Sequence, residues 1–191
     1  MLSDLITSQS RIKLLNVLLS QSSEMFHVRE LVRRTGDEIN AVRRELLFLE
    51  KKGILTREPR SNRVYYSLSK NYLFYFDLLR IGSKITGLGD AILRNRAKIG
   101  RIKYAMFSGK FARRMEKRPT DVDFIIVGTI VLPELAILIR EEEKRLGREI
   151  NYTVMTEEEF SFRKKKRDPF ILSVLQGSRV MLYGDEESML A

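Results

Sequence analysis

Between residues 38 and 68 the hydrophobic pattern changes period once, and that change constrains the fold more than any other feature of the chain. "EINAVRRELLFLEKKG" repeats its apolar residues at helical spacing. At 100° per residue, Ile39, Val42, Leu46 and Leu49 share one face, with Asn40, Arg44 and Lys51 opposite and Arg43 on the flank. Gly53 ends the helix. "ILTREP" and "RVYYSL" then alternate like strands, and "RSN" between them can turn. Upstream, "RIKLLNVLLSQ" reads as a helix buried over a wide face. "HVRELVRRTG" reads as a short second helix ended by Gly36.

Two short helices joined by "TGDEI" fit a helix-turn-helix, whose second helix can lie in a major groove. Three helices followed by a basic hairpin make a winged helix. Asn and Arg facing outward near a helix N-terminus are the residue types that read adenine and guanine edges. Asn40, Arg43 and Arg44 would therefore face bases, and Arg57, Arg60 and Arg63 would lie on or beside the wing. Phosphate contacts would supply affinity and the helix sequence preference. A solvated helix face is the plainer reading of the same side chains.

The charge distribution points the same way. The net charge is +10. Residues 1–69 carry 12 basic and 8 acidic side chains, residues 70–104 carry 8 and 2, and residues 105–191 carry 15 and 15. All the excess lies in the first 104 residues, which suggests a polyanion for that part alone. An ordinary basic surface would give the same totals. The chain has no cysteine, so disulfides, thiolate zinc sites and cysteine nucleophiles are excluded, and the single histidine, His27, removes His-cluster metal sites and Ser-His-Asp triads. No apolar run approaches the roughly 18 residues of a membrane span, and "MLSDLITSQSRIK" has no signal-peptide pattern. We expect a cytoplasmic protein with no membrane partner.

The segments "FHVRELVRRTG", "AVRRELLFLEKKGIL" and "NRVYYSL" resemble the ArsR/MarR-type winged-helix regulators of bacteria and archaea. That resemblance implies a homodimer on two-fold double-stranded DNA. The metal sensing of ArsR proteins uses Cys or His ligands and is not carried over.

Residues 70–103 are rich in aromatic and aliphatic side chains and lack a flexible linker's composition. They read as a helical connector in which Tyr72, Phe74, Tyr75, Phe76, Leu78 and Leu79 pack between domains or between subunits, with a dimer helix favoured. "GLGD" reads as a helix break. "IGSK", Ile81–Lys84, contains Gly-Ser without a D-x-D at a useful distance and is set aside.

The remaining chain alternates. "YAMF", "VDFIIVG", "EINYTVM" and "RVMLYG" read as strands, while "GKFARRM", "LPELAILIREEEKRLG", "EEEFSFRKKK" and "DPFILSVLQ" read as helical. The expected fold class is thus α+β in two domains. A winged helix-turn-helix occupies residues 1–69 and a small α/β domain residues 104–191, joined by the helical connector.

Within the α/β part, "FSGKFARRMEKRPTDVDFIIVG" at residues 107–128 resembles the signature of the polymerase-β-type nucleotidyltransferases in their minimal, antitoxin-like form. "LGREINYTVMTEEEF" and "DPFILSVL" extend the resemblance, which with the winged helix covers nearly the whole chain. It implies a turn at Ser108, Gly109 and Lys110 that holds a nucleoside triphosphate. It also implies Asp121 and Asp123 as ligands of Mg2+ or Mn2+, which would align in-line attack.

Three positions depart from the pattern. Lys110 stands where the family has serine, with Ser108 before the glycine instead of after it. Arg114 stands where glycine is usual after "AR". Asn151 stands where a third carboxylate is expected, and Glu149, two residues earlier, is the substitute. Asn151 cannot act as a base. The charge runs "RKKKR" and "REEEKR" read as solvated helix surface.

The reading is a DNA-binding regulator with a non-catalytic nucleotidyltransferase-like domain that binds nucleotide, metal or a protein. The rivals are an active transferase acting on protein or RNA, with Asp121, Asp123 and Glu149 catalytic, and an antitoxin-like module that sequesters a toxin-like partner and represses its own promoter.

Overall fold

The first two α-helices start on side-chain caps. Ser8 accepts from the Arg11 N–H and opens α1 (Gln9–Ser20). The His27 ring accepts from the Glu30 N–H and opens α2 (Val28–Thr35). Each cap satisfies a donor that would otherwise be orphaned in the first turn. Gly36, at φ 69°, closes α2 in the left-handed region with its N–H on the Val32 carbonyl, which turns the chain into α3 (Ile39–Lys51).

This is a computed structural model that describes residues 2–116, 118 and 121–191. Lys117, Pro119 and Thr120, within the stretch 107–128, lie outside the described residues. The chain divides into two units, Met1–Thr86 and Gly87–Ala191.

In the first unit, β2 (Leu55–Arg60) and β3 (Arg63–Leu68) pair antiparallel from Leu55–Leu68 to Arg60–Arg63, so Ser61 and Asn62 form the turn. Ser61 adopts φ 46° there. A short strand, β1 (Phe26–His27), adds to β3 on its other side. Leu14, Leu18, Leu31, Val42, Leu46 and Leu49 are almost fully buried, so α1, α2 and α3 share one core with Leu55, Tyr66 and Leu68 of the hairpin. Three helices and this hairpin form a winged-helix arrangement. Val42, Leu46 and Leu49 are buried on α3, as their periodicity requires, while Ile39 is half-buried.

The segment expected as one connector is divided. After Leu68 comes α4 (Tyr75–Ile85). Leu79 is buried in the first unit's core, with Tyr75 and Leu78 packed against it. Leu73, Phe74 and Phe76 stay exposed. From Gly87 the chain belongs to the second unit: Leu88 and Ile92 of α5 (Gly87–Arg94) and Ile99 of α6 (Arg96–Ile99) are core residues there. The "GLGD" break falls at the junction of α4 and α5, and "IGSK" lies inside α4.

The second unit is built on a mixed sheet of order β6-β5-β4-β7. Its strands are β4 (Gly100–Ser108), β5 (Phe124–Ile130), β6 (Tyr152–Met155) and β7 (Arg179–Tyr183). β5 runs parallel to β6, joined through α8 (Leu132–Leu146), while β4 is antiparallel to both β5 and β7.

Side chains of β4 and β5 alternate between two cores. Ala105, Phe107, Phe124 and Ile126 join Leu135 and Ile139 of α8. Tyr104, Met106, Ile125 and Val127 join Phe160 of α9 (Glu157–Lys165), Ile171 of α10 (Pro169–Gln176) and Met189 of α11 (Glu186–Leu190). Burial on both faces explains why β5 reads as an unbroken apolar run. Among the described residues no helix is long and apolar enough to cross a membrane.

Candidate functional site

The outer face of α3 is open. Asn40, Arg43 and Arg44 are exposed, as are Arg57, Arg60 and Arg63 on the hairpin. Arg43, Arg44 and Arg63 take part in no ion pair among the described residues. Arg60 pairs with Glu58 at 2.6 Å, and both partners are about half exposed, so the pair is worth little and is easily given up. Arg57 stands opposite Tyr66 across the hairpin.

Between α3 and the hairpin lies an open groove of about 590 Å³. Arg29, Arg43, Arg63 and Asn62 line it together with Leu47. Arg29 and Leu47 were not singled out from the sequence. Leu47 is 58% exposed on a helix whose other leucines are buried. That exposure was readable from its offset against the Leu46–Leu49 face.

α3 is held in place by a buried carboxylate. Glu45 is on its inner side, accepting from Ser8 Oγ at 2.7 Å and from Arg11 Nε at 2.7 Å. Burial alone would raise the Glu45 pKa, but the Ser8 hydroxyl and the Arg11 guanidinium together bring it below its ordinary value. The Arg11 guanidinium also lies 3.8 Å from the Phe48 ring centroid, which covers part of that exposed ring. The presentation of Asn40, Arg43 and Arg44 therefore depends on a link between the start of α1 and the middle of α3.

In the second unit the residues of the D-x-D signature are gathered, but mostly onto one another. Ser108 caps α7 (Gly109–Ala112), its Oγ accepting from the Phe111 N–H at 3.2 Å. That local bond accounts for serine standing before the glycine. Gly109 is required by packing: a Cβ there would lie 2.0 Å from Ser178 Oγ, and its N–H donates to the Ser178 carbonyl at 2.6 Å. Lys110 Nζ reaches Asp121 Oδ2 at 2.7 Å, and that oxygen also accepts from the Arg118 N–H at 2.9 Å. The Lys110 hydrogen bond first, then the Arg118 amide, hold the Asp121 carboxyl below the usual carboxylate range. Arg114 keeps φ 52°, a left-handed conformation that suits the glycine of the resemblance.

Asp121 and Asp123 precede β5 and sit in different surroundings. Asp123 is 1% exposed. Its Oδ2 accepts from the Asn151 N–H at 3.1 Å and from Arg148 at 3.2 Å. Asn151 lies next to both aspartates. Its amide side chain donates to the Asp121 carbonyl at 3.1 Å, and its own carbonyl accepts from the Asp123 N–H at 2.7 Å. The position expected for a third carboxylate is thus beside Asp123, but its amide ties the strand starts together. Glu149 does not join the aspartates: no three His, Cys, Asp or Glu side chains converge among the described residues. With Asp121 held by Lys110 and Asp123 by Arg148, the residues as placed do not fit a divalent ion.

A pocket of about 300 Å³ opens at this end of the sheet, lined by Ser108, Gly109, Lys110 and Asp121 on one side and by residues of α10 and the start of β7 on the other.

Comparison with protein-family models finds no match, and comparison with curated proteins finds none. Among solved structures the chain is similar to reduced HlyU from Vibrio cholerae, at 23% identity over 42% of this chain and 83% of that chain, with a TM-score of 0.33. At that score the likeness carries no weight. The winged-helix assignment rests on the element order and the hairpin register.

Proposed function

We propose that the protein is a DNA-binding transcriptional regulator whose second unit keeps a nucleotidyltransferase-like frame without the transfer chemistry. One observation carries the reading. α3 buries Val42, Leu46 and Leu49 and turns Asn40, Arg43 and Arg44 outward beside a hairpin bearing Arg57, Arg60 and Arg63. Asn40 and Arg44 are assigned to base edges, and the hairpin arginines, with Arg29 at the groove, to phosphates. The regulator acts as a homodimer, supported by the exposed apolar residues Leu73, Phe74 and Phe76 at the start of α4.

Selection of bound fragments from random duplex DNA, followed by anisotropy titrations across a salt series, tests the reading. A selected site should be bound with an affinity that falls steeply with salt. Arg44→Ala and Asn40→Ala should erode preference for that site, and Arg60→Ala should weaken all duplexes alike and flatten the salt slope. Equal binding by wild type and all three variants, or no binding at low salt, would remove the regulator reading. For the second unit, no metal-dependent label should pass from ATP, CTP, GTP or UTP to the protein itself, to RNA or to the product of a neighbouring gene. Labelling that vanishes in Asp123→Asn would restore the enzyme reading.

A further inference from the structure

One leucine of α3 lies on the side away from the core. At 100° per residue Leu47 falls about 20° from Asn40 and between Arg43 and Arg44. Val42, Leu46 and Leu49 are buried on the opposite side, while Leu47 is 58% exposed. A lone exposed leucine is ordinary on a protein surface. This one stands in the middle of the face assigned to base edges.

Its setting is cationic. The groove of about 590 Å³ between α3 and the hairpin is lined by Leu47 together with Arg29, Arg43 and Arg63. Val28, Val64 and Tyr66 add to the apolar part of its wall. The helix that presents Leu47 is anchored from behind, where Glu45 accepts from Ser8 and Arg11 at 2.7 Å each. An apolar side chain on an anchored helix, with arginines around it, suits a polyanion that itself carries an apolar group. In the major groove that group is the C5-methyl of thymine. An acidic peptide also combines negative charge with apolar groups, but it lacks the purine edges that Asn40 and Arg44 on the same face match.

We propose that Leu47 is a specificity-determining residue of α3, packing on the C5-methyl of a thymine in the bound site. The inference rests on the DNA-binding reading and deepens it. Asn40 and Leu47 are two helical turns apart, which is about 10 Å along the axis. Successive base pairs rise about 3.4 Å. The thymine therefore lies within about three base pairs of the base read by Asn40.

Deoxyuridine in place of thymine removes the methyl and keeps the base pairing. Each thymine of the selected duplex is replaced singly, and the full chain is titrated by anisotropy at one salt concentration. One replacement should weaken wild-type binding about fourfold, the worth of one buried methyl. It should fall within about three base pairs of the position whose preference Asn40→Ala loses. Leu47→Ala should bind the unmodified duplex at least about fourfold more weakly and lose the sensitivity to that replacement. Leu47→Met keeps an apolar side chain and should retain the sensitivity. Thermal melting of both variants should match wild type, because Leu47 is exposed.

A selected site with no thymine in that span would overturn the proposal. So would wild-type binding indifferent to every replacement. A methyl effect that persists in full in Leu47→Ala would assign the methyl to another side chain. A change in sedimentation of free Leu47→Ala protein, with no methyl dependence, would assign Leu47 to a contact between protein copies instead. In each of these cases the duplex is still bound and the regulator reading stands. Absence of binding to any duplex at low salt would remove both.

Discussion

The outer face of α3 and the acidic end of β5 both carry charged side chains and use them in opposite ways. On α3, Arg43 and Arg44 are exposed with no ion pair among the described residues, and the one buried charge, Glu45, is matched from behind by Ser8 and Arg11. At β5 the charges are matched in place: Lys110 with Asp121, and Arg148 with Asp123. Unmatched cations on a rigid helix attract a polyanion from outside, because their field is not cancelled within a Debye length. Matched charges fix local structure and leave little field for a polyphosphate. The first surface leaves its arginines unpaired among the described residues, and the second pairs its charges internally.

The largest effect that could break this contrast is on DNA. Reversing both arginines in Arg43→Glu/Arg44→Glu should cost about 3 kcal/mol or more of binding to a selected duplex, from lost base and phosphate contacts and new repulsion. Anisotropy would read it, and thermal melting should show little change, since both side chains are exposed.

Next comes Asp123→Ala. It removes the buried Oδ2 acceptor shared by the Asn151 N–H and by Arg148, which also reaches the Glu149 carbonyl. It should destabilise the protein by about 2–3 kcal/mol in urea melts. A variant as stable as wild type would mean that Asp123 is not a structural anchor and would reopen a functional role for it.

Arg11→Ala should cost about 2 kcal/mol, because Glu45 stays buried without its cation. The link also gives a pH signature. Its partners depress the Glu45 pKa in the folded state, so its contribution is present above the ordinary value of 4.5 and is lost as pH falls through the lower folded value. The stability gap between wild type and Glu45→Gln should therefore be full at neutral pH and shrink in acid. A gap that grows in acid would contradict the assignment. The smallest effect is expected at the exposed end of β5. Lys110→Ala should change stability by less than about 1 kcal/mol, since the Lys110–Asp121 pair is open to solvent.

Much of this molecule was legible in the chain because its signals are local. The helical face of Ile39, Val42, Leu46 and Leu49, the alternation of the hairpin and the stop at Gly36 each depend on residues a few positions apart. Backbone geometry converts such spacing directly into faces and turns. The four strands of the second unit were readable for the same reason. The parallel pairing of β5 and β6 sets Asn151, which the resemblance puts at the third-carboxylate position, beside Asp123.

What only the tertiary structure decided concerns partners far apart in the chain. Residues 70–103 looked like one apolar connector, and packing divided them, because Leu79 found the core under α1 while Leu88 and Ile92 found another. At Gly109, Ser178 from the far end of the chain approaches too closely for any side chain. Asp123 meets Arg148 and Glu45 meets Arg11 across 25 and 34 positions. Composition and spacing register that a charge is present. Whether it is cancelled depends on distance in space, which the fold alone sets.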